Sequence, residues 1–360
     1  VVGVTLVGLI AGGRSGVSRY AAALTSALDR VAPEFPDLRM RLLTTPSGRD
    51  RTELRHLELD LVGGAIEGPR RILAEQLAVR RVRGEVLHFF DLTAPLLAPG
   101  APFVTTLHDA AIRHGFQGLR VAHKQVLQPL ALRRARAVVA VSGFARDEGV
   151  TRFGADPARI HVIHSGPGLV RGGGEVGGPE ATRNGYLLYV GNLAAHKNLP
   201  FLIRAFGAAD VRAPLLLVGS WGDRIEEVRR AIEASPARER IELRSGVGDA
   251  QLEQLYSGAR ALLLPSLYEG FGFTALEAMS RGCPVVASDI PALREICRDG
   301  AWLLPPSDEP AWAEAIRRAV ADDRWRDELR ARGRAVAGTY SWESTARGVC
   351  ELLLATGGAR

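Results

Sequence analysis

The stretch Pro265-Ser-Leu-Tyr-Glu-Gly-Phe-Gly-Phe-Thr-Ala-Leu-Glu-Ala-Met279 decides how this chain folds. It follows the continuous apolar run Ala261–Leu264, is interrupted by Gly270 and Gly272, and resumes near Thr274 as a helix-forming sequence. A short apolar run without alternation reads as a strand covered on both faces, and strand, glycine loop and helix together make the βα unit of a parallel sheet. The same junction carries chemistry. Free backbone N–H groups and the positive end of the helix dipole meet where the helix starts, and such a point binds phosphate. Gly270 and Gly272 carry no Cβ, so the amides of Phe271, Gly272 and Phe273 can approach a diphosphate closely. Glu269 stands just outside the helix and Glu277 about one turn inside it; carboxylates are poor phosphate ligands but good acceptors for sugar hydroxyls. Taken alone, a Gly-x-Gly here would only end a strand and Glu277 would be a surface residue.

Working outward, the alternation repeats. Tyr186–Val190, Pro214–Val218, Arg240–Leu243, Pro284–Ala287 and Trp302–Leu304 read as further strands separated by helical patterns. The first half behaves alike: strand-like Val2–Ile10, Arg39–Thr44, Leu57–Leu61, Val86–Phe90, Phe103–Leu107, Ala137–Val141 and Ile160–Ile163 alternate with helical patterns at 17–31 and near 70–82, 119–135 and 143–153. Residues 166–184 are dominated by Gly and Pro and hold almost no apolar bulk, which predicts a linker. The expected organisation is α/β throughout: two doubly wound, Rossmann-like parallel-sheet domains at 1–165 and 185–340, the linker at 166–184, and a last helix within 341–360 that packs back on the first domain.

Composition agrees with this division. A chain of 360 residues is too long for one ordinary core and suits two. With 46% hydrophobic and 24% charged residues it has the balance of a water-soluble globular protein. No apolar run reaches the length of a membrane span, and Val1-Val-Gly-Val-Thr-Leu lacks the basic start of a secretory signal. The three cysteines, Cys283, Cys297 and Cys350, have neither C-x-x-C nor zinc-ligand spacing, so disulfides and zinc are not expected and the cytoplasm is the expected compartment. The net charge of +6 lies in the first half: residues 1–165 carry 22 Lys+Arg against 15 Asp+Glu, the remainder 24 against 25. The clusters around Arg70–Arg83 and Arg120–Arg136 read first as solvated helix faces and second as a peripheral contact with an anionic membrane. They lack the interleaved aromatics that stack bases, so nucleic acid is not an expected partner.

The run Tyr268 to Met279 resembles the Glu-x7-Glu signature of glycosyltransferase family 4 (group 1), whose members are retaining GT-B enzymes with two such domains facing a central cleft. The resemblance implies that Glu269 hydrogen-bonds the donor sugar, that the amides from Gly270 through Thr274 hold the diphosphate, and that Glu277 binds the ribose. Further segments follow in the family's order. Val190-Gly-Asn-Leu-Ala-Ala-His-Lys-Asn198 is similar to the family's Gly-x-Leu…Lys-Asn segment, which makes Gly191, Asn192 and Lys197 donor-binding candidates and Lys197 the diphosphate cation. Lysine is otherwise present only at Lys124. Asn192 departs from the pattern, standing where many members carry a second phosphate-binding Arg; His196 and Arg281 are the candidate replacements. Ser245 and Val247 fall in the expected base-binding loop.

In the first half, Ala11-Gly-Gly-Arg-Ser-Gly-Val-Ser-Arg-Tyr20 resembles the family's first glycine-rich loop, with Gly12 and Gly13 toward the donor and Gly16 and Tyr20 toward the acceptor. It does not read as Gly-x-Gly-x-x-Gly, so a dinucleotide-binding dehydrogenase gains no support. Phe103-Val-Thr-Thr-Leu-His-Asp109 puts His108 and Asp109 at the carboxyl end of a strand, from which α/β sheets address ligands. The family pattern makes His108 a catalytic candidate with Glu269 and Lys197, and Asp109, Ser142 and Arg146 acceptor-side candidates. The resemblance is strong over 186–342 and patchy over 1–165.

These readings imply retaining transfer of a hexose from a nucleotide-diphosphate sugar, GDP-mannose first and a UDP-hexose second, to a glycan, lipid-linked or small-molecule hydroxyl. The segments look most like those of bacterial mannosyl- and hexosyltransferases of polysaccharide assembly. No Asp-x-Asp motif is present, so no metal and no cofactor beyond the donor is expected. The alternatives are a sugar-nucleotide 2-epimerase on the same fold and a catalytically silent nucleotide-sugar-binding partner protein.

Overall fold

The computed structural model describes residues 1–8, 16–44, 54–61, 76–80, 82, 85–94, 101–110, 119–168, 185–220 and 224–358. They divide into two compact units, Val1–Gly168 with Tyr340–Arg360, and Leu169–Thr339.

The first unit is built on seven parallel strands: β1 (Val2–Val7), β2 (Leu38–Thr44), β3 (Glu58–Leu61), β4 (Val86–Phe89), β5 (Phe103–Leu107), β6 (Ala137–Ala140) and β7 (Ile160–Val162). Their order is β3-β2-β1-β4-β5-β6-β7. The direction of winding reverses between β1 and β4, which pair from Val4↔Val86 to Val7↔Phe89. Helix α1 (Gly16–Val31) buries Tyr20, Leu24, Leu28 and Val31, the i, i+4 stripe of an amphipathic helix. Helices α2 (Leu119–Arg134) and α3 (Gly143–Phe153) follow β5 and β6. The Ser142 hydroxyl accepts from the Ala145 amide to cap α3, which ends at Gly154 with φ 64°, the left-handed stop.

The second unit carries six parallel strands: β8 (Leu187–Val190), β9 (Leu215–Val218), β10 (Ile241–Arg244), β11 (Ala261–Leu264), β12 (Val285–Ser288) and β13 (Trp302–Leu304), in the order β10-β9-β8-β11-β12-β13. Between them run α4 (Leu199–Ala209), α5 (Ile225–Glu233), α6 (Asp249–Gly258), α7 (Phe273–Ser280) and α8 (Pro291–Cys297), with α9 (Glu309–Ala321) and α10 (Asp323–Ala337) after β13. Strand β10 lies one residue later than the sequence predicts, because Arg238–Arg240 wind a tight helical turn. Strands β8, β9, β11 and β12 are apolar on both faces because both are covered, whereas the edge strand β10 exposes Glu242 and Arg244. On one face Leu187, Tyr189, Leu215, Leu217 and Leu263 join Leu202, Phe206, Trp312 and Ile316 in one core. Winding reverses between β8 and β11, which pair through Ala261↔Leu187 and Leu262↔Leu188. Two segments more than seventy positions apart therefore leave the sheet side by side.

The last helix, α11 (Trp342–Gly358), belongs to the first unit. Arg30 pairs with Glu343 at 2.8 Å and Arg347 with Glu34 at 2.7 Å. Trp342 Nε1 donates to the Pro167 carbonyl at 2.6 Å and Thr345 Oγ1 to that of His164 at 2.7 Å. The expected linker residues from 169 to 184, and most of the helical pattern near 70–82, lie outside the described residues.

Candidate functional site

In open α/β sheets, ligands bind beyond the carboxyl ends of the strands where the winding reverses. In the second unit that place is formed by the segments leaving β8 and β11. The first makes a tight turn at Ala195–Lys197 and the second the loop 265–272; the Leu267 amide donates to the His196 carbonyl at 2.7 Å and ties them together. Across this tie Lys197 Nζ meets Glu269 Oε1 at 2.6 Å, with both side chains only 15% exposed. The fully buried Ser266 hydroxyl donates to the same oxygen at 2.7 Å.

Helix α7 starts beside them. Gly272 has φ 106°, a conformation open chiefly to glycine, and a Cβ there would also meet Leu293 Cδ2 at 2.8 Å. No acidic residue lies in the first turn, and the N-cap is a glycine, which has no side chain to cap with, so the positive end of the helix dipole stands at this point. Gly270, Phe273 and Thr274 are half-buried at this end, and the Phe271 ring is buried against that of Phe273, with centroids 4.8 Å apart. Glu277 is 1% exposed rather than on the surface, and its Oε2 accepts from the buried Tyr256 hydroxyl at 2.9 Å. A carboxylate so enclosed needs hydrogen bonds to remain charged.

The rest of the segment leaving β8 is held by backbone. Gly191 donates its amide to Val218 O at 2.9 Å, and the Tyr189 hydroxyl donates to the Asn192 carbonyl at 2.8 Å. The Asn192 side chain is exposed and accepts from the Ala194 amide at 3.3 Å, a turn-forming contact. Gly219 faces this turn: a Cβ there would lie 2.8 Å from the Gly191 carbonyl carbon. Arg281, a candidate replacement for the cation absent at Asn192, is buried and ion-paired with Glu253. Ser245 and Val247 follow the edge strand β10, with Ser245 exposed and Val247 half-buried.

In the first unit the reversal lies between β1 and β4, with His108 and Asp109 at the end of the next strand. His108 Nε2 lies 2.8 Å from the Phe90 carbonyl. A carbonyl only accepts, so Nε2 carries a proton and donates it to this contact. Tyr20 stands edge-on to His108 at 4.6 Å and to Trp342 at 5.5 Å. It is fully buried, and burial holds its phenol well above its ordinary value. Tyr20 therefore supports the His108 ring from inside the unit, which differs from the expected acceptor contact. Ser142 differs too: it is buried as the cap of α3. Arg146 is exposed and pairs with its neighbour Asp147 at 2.9 Å, Gly16 is exposed at the start of α1, and Asp109 is half-buried. Gly12 and Gly13 lie outside the described residues.

Two hydroxyls escaped the sequence reading. Tyr256 falls four residues after Leu252 on the buried face of α6 and reads as core. Ser266 lies inside the decisive stretch, and only its burial beside Glu269 distinguishes it from a loop serine.

A family model described as Glycosyl transferases group 1 matches residues 178–336, and one described as Glycosyltransferase Family 4 matches residues 14–167. The O-antigen chain mannosyltransferase B of Escherichia coli is 32% identical over 257 residues, which cover 67% of each chain. The chain belongs to the group 1, family 4 glycosyltransferases. This glycosyltransferase is also 29% identical over 191 residues to the O-antigen chain mannosyltransferase RfbU of Salmonella typhimurium, a match spanning about half of either protein, 53% of each. Its two parallel-sheet domains have the GT-B fold: sucrose-phosphate synthase from Thermosynechococcus elongatus superposes with a TM-score of 0.74 at 22% identity, over all of both chains. The family makes it an enzyme of sugar transfer from a nucleotide sugar. Among the described residues no three His, Cys, Asp or Glu side chains are grouped to hold a metal ion, and no helix is long and apolar enough to cross a membrane.

Proposed function

We propose that this glycosyltransferase moves a hexose, mannose from GDP-mannose in the first instance and a UDP-linked hexose in the second, to a hydroxyl of a glycan, lipid-linked or small-molecule acceptor with retention at the anomeric carbon. The observation that carries the proposal is the convergence of Lys197, Glu269 and the N-terminal end of α7 where winding reverses between β8 and β11. A cation and helix-end amides suit a diphosphate; a carboxylate within reach suits sugar hydroxyls. The mannosyl reading is supported by the two relatives named as O-antigen chain mannosyltransferases. The basic excess of residues 1–165 suits an anionic or lipid-linked acceptor.

In this reading the bond from the anomeric carbon to the diphosphate oxygen breaks while the acceptor oxygen bonds to that carbon on the same face, and the acceptor proton passes to the departing phosphate. Charge grows on the leaving oxygen, where Lys197 and the amides of residues 271–273 stabilise it without a metal. Glu269 orients the sugar, Glu277 holds the ribose, Ser245 and Val247 flank the base, and His108 polarises the reacting centre. Glu269 is assigned no nucleophilic role.

The test is release of nucleoside diphosphate with and without acceptor. Release that depends on acceptor supports transfer; acceptor-independent formation of free epimerised sugar would select an epimerase. Glu277→Ala is expected to weaken nucleotide binding and Glu269→Ala to lower turnover, and the reverse pattern would exchange the two roles.

A further inference from the structure

Each carboxylate of the 269–277 stretch is held by a hydroxyl from another part of the second unit. Ser266, two residues beyond the end of β11 and fully buried, donates to Glu269 Oε1 at 2.7 Å. Tyr256, on α6 and fully buried, donates to Glu277 Oε2 at 2.9 Å. Ser266 lies three residues before Glu269 in the same loop, and Tyr256 reaches Glu277 from the neighbouring helix.

We propose that Ser266 and Tyr256 are the positioning residues of the donor site, Ser266 orienting the sugar-binding carboxylate and Tyr256 the nucleotide-binding one; this rests on the roles proposed above for Glu269 and Glu277. A carboxylate accepts hydrogen bonds only near its own plane, so fixing one oxygen fixes the direction in which the group meets a ligand hydroxyl. Both donors to Glu269, Ser266 Oγ and Lys197 Nζ, sit on Oε1, so Oε2 is the oxygen we assign to a sugar hydroxyl. Glu277 is enclosed, and the Tyr256 phenol fixes one of its oxygens, and so the direction in which it would meet a ribose diol. The two hydroxyls therefore act on different steps, one on turnover and one on affinity.

The experiment compares Tyr256→Phe and Ser266→Ala with the wild-type chain, using GDP and UDP by calorimetry and nucleoside diphosphate release from GDP-mannose or UDP-glucose, whichever the wild type consumes. Tyr256→Phe keeps the ring and is expected to raise the nucleoside diphosphate Kd about tenfold with kcat within about twofold, the worth of one charge-assisted hydrogen bond. Ser266→Ala is expected to lower kcat about tenfold with Kd within about twofold. Ser266→Cys, of similar volume but a weak donor, should match Ser266→Ala, and takes its place if the alanine variant does not fold. A merely structural role would lower the melting temperature and move kcat and Kd together, or move neither, and either result overturns the proposal. Glu269→Ala and Glu277→Ala separate the two levels: if they fail to split turnover from affinity, the reading of the carboxylates fails; if they split and the hydroxyl variants do not follow, the positioning does.

Discussion

Replacing Glu269 by glutamine removes one charge from a pair whose atoms lie 2.6 Å apart with both side chains 15% exposed. At that distance and an effective dielectric constant of about 20, the attraction is about 6 kcal/mol before the cost of desolvating both ions. Desolvation of several kcal/mol offsets most of this and leaves a net coupling of about 2 kcal/mol. In the proposed donor site, Glu269 would therefore compete with a diphosphate for Lys197. Glutamine keeps the shape and the hydrogen bond to Ser266 but gives up the competition. Glu269→Gln is expected to bind nucleoside diphosphate between about threefold and about thirtyfold more tightly, the larger figure corresponding to the full 2 kcal/mol. On the role proposed for Glu269, turnover is expected to fall because the sugar loses its carboxylate. Calorimetry with GDP and UDP reads the affinity, and urea unfolding of Lys197→Met, Glu269→Gln and the double variant reads the coupling. The gain in affinity should vanish in the double variant. A Glu269→Gln chain that binds no more tightly than wild type, or a coupling below about 0.5 kcal/mol, would refute the reasoning.

Gly272→Ala places a Cβ at φ 106° and against Leu293, so a loss of stability of about 2 kcal/mol and weaker nucleotide binding are expected, read by urea unfolding and calorimetry. His88, fully buried on β4, is held down to about 3 by burial from an ordinary 6.5. The unfolded chain takes up this proton near 6.5 and the folded chain does not, so stability falls as pH drops from 6.5 toward 3, by up to about 1.4 kcal/mol per pH unit, and is unaffected by this group above 6.5. Melting curves of His88→Leu should be flatter across that window than those of wild type. Chelation with EDTA should leave nucleoside diphosphate release unchanged, because in the proposed mechanism Lys197 and the amides of α7 carry the leaving-group charge; loss of activity restored by magnesium would show that they do not.

The central strands were legible because they are covered on both faces, so Leu215–Val218 and Ala261–Leu264 stand out as unbroken apolar runs. Their order was not. Lys197 and Glu269 are 72 positions apart, and only the pairing of β8 with β11 makes them neighbours. Chemistry carried by backbone was readable in advance: Gly270 and Gly272 announce a close approach wherever the loop lies. Side-chain partnerships needed three dimensions. Ser142 has the sequence context of a site residue but spends its hydroxyl on the first turn of α3, and Arg281 is committed to Glu253. Tyr256 is an ordinary member of an apolar helix face until α6 and α7 are set side by side.

A thermal-shift panel of GDP-mannose, UDP-glucose, UDP-GlcNAc and dTDP-sugars, run on the wild-type chain and on Glu277→Ala, tests the donor site most directly. A ligand that binds only the folded chain raises its melting temperature. One nucleotide sugar, GDP-mannose first, should raise that of the wild type and leave that of Glu277→Ala nearly unmoved; no shift with any nucleotide sugar, or equal shifts in both chains, would contradict the account.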